Sequence, residues 1–255
     1  MLESESMNFI MPLTFPEDAF KEFGKLAGLF FSPILSDQNF EDSHEKLGHF
    51  RGAWLAVHYR YRACWELNEA FKTLFLNAMA NDLWREWSEG EEHNYQLEQC
   101  IYHFFMNALS VFESLAFCLY FVGGIINKIY FNLIKNPRNI TLKTTISAFE
   151  AAFPQLSLTD HLRNLSKDTG FGKIDEIRNI LAHRLIGRRN VHLSNGISDS
   201  SGKYTQTREE IWHIPGLTGK LVFDEELIQR HFDEVNRILT TLISASLAFV
   251  KSEPR

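Results

Sequence analysis

The chain has 255 residues, enough for one large domain or two small ones, and its 45 % hydrophobic and 23 % charged content is that of an ordinary globular protein. That composition excludes a disordered or fibrous chain, and a net charge of −6 argues against a general nucleic-acid binder. Three scattered cysteines, Cys64, Cys100 and Cys118, are too few for a disulfide framework and read as buried thiols of a reducing compartment.

In chain order the pattern is helical almost throughout. The N-terminal Met1-Leu-Glu-Ser-Glu-Ser is acidic, unlike a secretory signal, and a cytoplasmic protein without a membrane segment is expected. Pro16 opens a first helix to about Phe31, and Ser36 to Asn39 form a polar link. A long tract from about Glu41 to Trp87 is rich in aromatic residues, with a break conceivable at Gly48 or Gly52. Glu89-Gly-Glu-Glu-His93 reads as the next break, inside a stretch from Asp82 to Glu98 that carries a net charge of −5. From about Glu92 to Asn136 runs the best-patterned helix. Leu97, Ile101, Phe104, Ala108, Val111, Leu115 and Leu119 form its apolar stripe. His103, Asn107, Ser110 and Ser114 form a polar stripe that suits hydrogen bonding to a partner helix or support for a site nearby. Glu113 lies off that stripe, available to an arginine. The apolar run Leu115 to Ile126 is too short to cross a bilayer and suits a buried helix end.

Pro137 stops this helix. Two shorter helices follow, about Thr141 to Phe153 and Thr159 to Lys167, with Thr141 and Thr159 as N-caps. Gly170 and Gly172 lead into a helix whose apolar residues Ile174, Ile177, Leu181 and Leu185 share one face; Gly187 ends it, and Arg188 and Arg189 follow where positive charge favours a helix C-terminus. Residues 189–222 carry Ser-Asn-Gly, Ser-Asp-Ser-Ser-Gly and Pro-Gly breaks and read as a β-hairpin or flexible excursion, able to gate a groove or to be a plain surface loop. Asp224 caps a last helix with Phe232, Val235, Ile238, Leu239, Leu242 and Ile243 buried. The expected fold is all-α, an up-and-down helical bundle in a single domain.

Chemistry concentrates in Ile177-Arg-Asn-Ile-Leu-Ala-His-Arg184. Arginine supplies a permanent positive charge in a planar fork suited to phosphate, and histidine exchanges a proton near neutral pH. On a helix Arg178 and His183 stand about 140° apart around the axis and roughly 7.5 Å along it. One helix therefore aims them apart, whereas two copies about a twofold axis bring both to one place. Asn179 and His183 share a face at i and i+4. From Lys173 to His192 the net charge is +3 and elsewhere −9, so a local basic patch sits on an acidic body.

Arg178, the polar Asn179 next to it, and His183 five positions on resemble the R-polar-x-x-x-H signature of the HEPN superfamily. The resemblance covers about twenty residues plus the general helical layout. It implies a HEPN-like core of residues 91–188 and 223–251, with 1–90 as an N-terminal helical extension and 189–222 as an excursion. It further implies a homodimeric, metal-independent endoribonuclease without cofactor. In that reading RNA is cut by 2′-hydroxyl attack, with His183 as acid or base, Arg178 stabilising the transition state, and Asn179 orienting His183 or holding a phosphate oxygen. Arg184, Arg188 and Arg189 would position the strand, and His103, Asn107, Ser110 and Glu113 would support the site from behind. Relatives include toxins of toxin–antitoxin and defence systems, some controlled by nucleotide modification of a tyrosine two places after the histidine. Leu185 stands there in this chain, which argues against that control and weakens the case for an antitoxin partner. The alternative is a non-catalytic HEPN-like module binding a nucleotide, nucleic acid or protein. His44, Glu45 and His49 miss zinc-protease spacing, and Gly216-Leu-Thr-Gly-Lys220 lacks that of a phosphate loop; no metal is expected.

Overall fold

A computed structural model describes residues 11–31, 40–81, 87–131, 137–183, 188–194 and 207–253. Among them seven α-helices form a bundle: α1 (Glu17–Phe30), α2 (Phe40–Asn81), α3 (Trp87–Ile126), α4 (Leu142–Ala152), α5 (Ser157–Leu165), α6 (Thr169–His183) and α7 (Leu227–Ser252). A small antiparallel sheet, β1 (Arg188–Ser194), β2 (Thr207–His213) and β3 (Leu221–Val222) in the order β1-β2-β3, lies between α6 and α7 in the chain. The sequence pattern thus predicted the all-α bundle; of the hairpin and the flexible loop left open for 189–222, the described residues there include paired strands.

Two long helices form the spine. On α2 the buried positions Leu47, Phe50, Trp54, Val57, Tyr61, Cys64, Asn68, Phe71, Phe75 and Ala78 alternate in steps of three and four. That 3.5-residue period keeps one seam against a partner helix over nine turns. The partner is α3, running antiparallel: Arg60 meets Ser110 and Ser114, Cys64 approaches the Phe104 carbonyl, and His93 bonds the Leu74 carbonyl at 2.8 Å. An interior glycine costs a helix about 0.5–1 kcal/mol, far less than burying this many large side chains returns at about 1.5–3 kcal/mol each. Gly48 and Gly52 therefore do not break α2. The same arithmetic corrects the break expected at Glu89 to His93: these residues are helical, and His93 is buried against α2.

The helix α3 stops at Ile126, ten residues before Asn136, where it was expected to end. Its end is set by packing. The chain folds back so that the Phe131 ring occupies the space a side chain on Gly123 would need, with Cζ 2.5 Å from that position. Phe131 then stands edge-on to Tyr120 and Phe149. Gly90–Ile126 is long and apolar enough to cross a membrane, a longer stretch than the twelve-residue run suggested. Of its most apolar window, 72 % is buried inside the protein, as in a core helix.

Around this spine α7 contacts α1, α2, α3, α5 and α6, and α3 contacts α1, α2, α4, α6 and α7. One hydrophobic cluster runs through all seven helices and takes in Trp212, Ile214, Leu221 and Phe223 from the sheet region. Phe223 packs on Phe71 and Phe75 of α2. The sheet segment described here is thus docked on the body, not a free flap. The three thiols are buried, and burial pushes Cys64 and Cys118 far above the ordinary range.

Caps follow the sequence in part. Thr141 caps α4 in a reciprocal capping box with Thr144. Thr159 does not cap: α5 starts two residues earlier, and its hydroxyl donates to the Phe153 carbonyl from a fully buried position. Gly170 and Gly172 lie inside α6, and Asp224 precedes α7, whose N-cap residue is Glu226. The polar link 36–39 falls outside the described residues.

Candidate functional site

The signature lies on α6, so what holds α6 decides where its polar residues point. Its first turn is capped by Asp168, which accepts the Phe171 N–H at 3.0 Å. Arg237 on α7 grips the same carboxylate at 2.7 Å and also pairs with Glu234 at 2.6 Å. Burial alone would raise the Asp168 carboxyl, but these hydrogen bonds and the guanidinium outweigh it and leave it below its usual value. Phe171, Ile174 and Ile177 face inward, the last two fully buried.

The outer side of the helix holds the turn between β2 and β3. Glu176 accepts the Thr218 N–H at 2.8 Å, while Lys173 donates to the Thr218 carbonyl and pairs with Glu176 at 3.2 Å. Gly216 and Gly219 adopt φ of +87° and +85° around this contact, a backbone region closed to most residues. Gly216 and Gly219, whose spacing does not fit a phosphate loop, serve this turn.

Beyond the clamp, Arg178 is part-buried and its guanidinium meets two groups. Nη1 donates to the Asn179 Oδ1 at 2.9 Å, and Nη2 stands 3.6 Å from Glu113 Oε1 on α3. Asn179 donates in turn to Asp175 at 3.0 Å, and Arg178 Nε is buried without a hydrogen-bond partner among the described residues. The carboxylate of Glu113 is thus the arginine partner that the sequence left unassigned. At 3.6 Å, with the Glu113 side chain 43 % exposed, the pair is loose and open to exchange with another anion.

His183 is the last residue of α6, one turn beyond Asn179. The imidazole of His183 and the side chains of Arg184, Arg188 and Arg189 lie outside the described residues. Arg188 and Arg189 are not at the end of α6, however. They open β1, opposite His213 and Trp212 of β2, because the chain has already become extended there. The expected helix-terminal dipole role is thereby withdrawn for both.

The polar stripe of α3 divides in two. His103 bonds the Gln99 carbonyl and Asn107 the His103 carbonyl, so both bond within their own helix. The Ser110 carbonyl and the Ser114 hydroxyl instead receive Arg60 from α2, the partner-helix role. Among the described residues, Glu113 is the one of those expected to support the signature whose side chain meets Arg178.

A cleft of about 520 Å³ opens next to Glu113 between α2, α3 and the start of α4. Gly48, Gly52, Ala53 and Ala56 form its floor on α2, with Arg60, Glu113, Phe117 and Leu142 among its walls. Sequence reasoning missed it. The available signal was four small residues, Gly48, Gly52, Ala53 and Ala56, on one side of an otherwise bulky helix and within twelve residues of Arg60.

Among the described residues no group of three His, Cys, Asp or Glu side chains could hold a metal ion. The chain matches no family model, no curated protein and no solved structure.

Proposed function

We propose that the chain is a metal-independent endoribonuclease of the HEPN type, working as a homodimer. Its signature is Arg178, Asn179 and His183, with Arg184, Arg188 and Arg189 along the path of the strand. The observation that carries this reading is the state of Arg178. Its guanidinium is held in direction by Asn179 but only loosely neutralised by Glu113, so an incoming phosphate can take the place of the carboxylate.

In the reaction a base takes the proton of the ribose 2′-hydroxyl, whose oxygen attacks the adjacent phosphorus. The 5′-oxygen leaves with a proton from an acid, giving a 2′,3′-cyclic phosphate and a 5′-hydroxyl. His183 of one or both subunits fills the acid and base roles. Arg178 stabilises the charge of the five-coordinate transition state. A role in defence or toxin–antitoxin response, with or without a regulatory partner, belongs to the same proposal.

Labelled single-stranded RNA incubated in EDTA tests it. The parent should cut and leave cyclic phosphate ends, and His183→Ala should lose about 100-fold or more in rate with an unchanged melting temperature. A mutant as active as the parent sinks the assignment. A second reading, a non-catalytic HEPN-like module, is favoured by the chain Asp175–Asn179–Arg178–Glu113, in which each side chain already has a partner within the protein. RNA binding without cleavage would select it.

A further inference from the structure

The cleft beside Glu113 contains a cation that no carboxylate neutralises among the described residues. Arg60 on α2 is part-buried and fixed: one nitrogen, Nη1, donates to the Ser110 carbonyl at 2.8 Å and to the Ser114 hydroxyl. Ser114 is itself anchored to the Ser110 carbonyl at 2.8 Å. Both acceptors are neutral, and among the described residues no carboxylate pairs with the guanidinium. A cation held in one place, partly withdrawn from water and lacking a counter-ion favours an anion close by.

The rest of the cleft says what kind of anion. Its volume of about 520 Å³ is in the range of small-molecule sites. Phe117, Ile140, Leu142, Ala53 and Ala56 give it apolar walls. His49 stacks on Phe121 at 5.3 Å and stands edge-on to Phe117, so the aromatic wall is braced. Glu113, the acid in the lining, stands 3.6 Å from Arg178, which is not itself among the lining residues. The small residues are what keep the space open: a side chain on Gly48 or Gly52 would meet no protein atom within 4 Å.

We propose that this cleft is a binding site for a small organic anion, its carboxylate or phosphate on Arg60 and its apolar body against Phe117, Ile140 and Leu142. This site is separate from the signature and stands whether or not the chain cuts RNA. It also adjoins the signature, since Ser114, which holds Arg60, and Glu113, which holds Arg178, are consecutive residues of α3.

Isothermal titration of the full chain with phenyl phosphate, benzoate and inorganic phosphate tests it. Phenyl phosphate or benzoate should bind saturably at one site per chain, and inorganic phosphate about tenfold or more weaker for want of the apolar contacts. Arg60→Gln should weaken binding about tenfold or more, the loss of a charge-assisted contact. Gly52→Leu keeps Arg60 and fills the cleft from an open helix position, so it should abolish binding while the melting temperature holds or rises. That variant decides the matter if Arg60→Gln fails to fold. No saturable binding of either aromatic anion, or binding unchanged in Gly52→Leu, overturns the proposal. Equal affinity for inorganic phosphate overturns the assignment of the apolar body.

Discussion

The helix α6 is bounded by two arginines that live differently. At its start Arg237 is saturated, sharing short contacts of 2.7 and 2.6 Å with Asp168 and Glu234. Near its end Arg178 has, among the described residues, one loose carboxylate at 3.6 Å and a buried nitrogen without a partner. The first arrangement fixes a helix; the second leaves a guanidinium positioned but under-committed. The backbone of α6 is held elsewhere, by the clamp at Asp168 and the turn at Thr218, and this leaves Arg178 free for the proposed chemistry.

The strongest way to break this contrast is to loosen the buried face that α6 keeps between the two arginines. Ile177→Ala removes a fully buried side chain one residue before Arg178 and should cost about 2–5 kcal/mol in urea unfolding. If α6 were held mainly by its polar ends, the cost would fall well below that range.

Next is His231 on α7, close to the clamp, edge-on to Phe105. Burial first, then the positive charges of Arg230 and Lys173, pull its imidazole down to about 4. The unfolded chain takes up this proton first, so stability falls as pH drops from about 6.5 toward 4, by roughly 3 kcal/mol for a shift of this size. His231→Phe should flatten the pH dependence of unfolding across that window; an unchanged profile would show that the imidazole is not kept neutral.

Asp168→Asn should cost about 0.5–2 kcal/mol at neutral pH, as a lost helix cap. Because the folded carboxyl lies below its usual value, its contribution is present above about pH 4 and disappears as pH falls through the folded value. The difference between parent and mutant should therefore shrink in strong acid. The smallest effect belongs to Arg178→Gln, expected to change stability by less than about 1 kcal/mol. A cost as large as that of Ile177→Ala would mean that Arg178 is part of the clamp after all, and would count against a role in chemistry.

What was legible in the sequence depended on range. The apolar stripe of α3 from Leu97 to Leu119 and the inner face of α7 were readable because helical periodicity is local, and every residue named in them is buried. The Thr141 cap was readable for the same reason. The end of α3 was not, since Phe131 folding onto Gly123 is a contact between distinct segments that no window of pattern contains. Breaks at Gly48, Gly52 and Glu89 were overestimated because local propensity ignores the seam between α2 and α3. At the candidate site, Asn179 beside Arg178 is a neighbour in sequence and was visible. Glu113 was nameable as an acid in search of an arginine but not assignable to one. Arg60 was invisible, since its meaning comes from α3.

The seat of Phe131 on Gly123 has one more consequence. A helix halted by a breaker residue can be lengthened by replacing that residue, but this one is halted by a plug, so its length is a property of the assembled core. Enlarging Gly123 to valine would evict the ring from its seat and strip Tyr120 and Phe149 of their shared neighbour. Damage would then spread to the last helix, where Phe149 leans on Phe249.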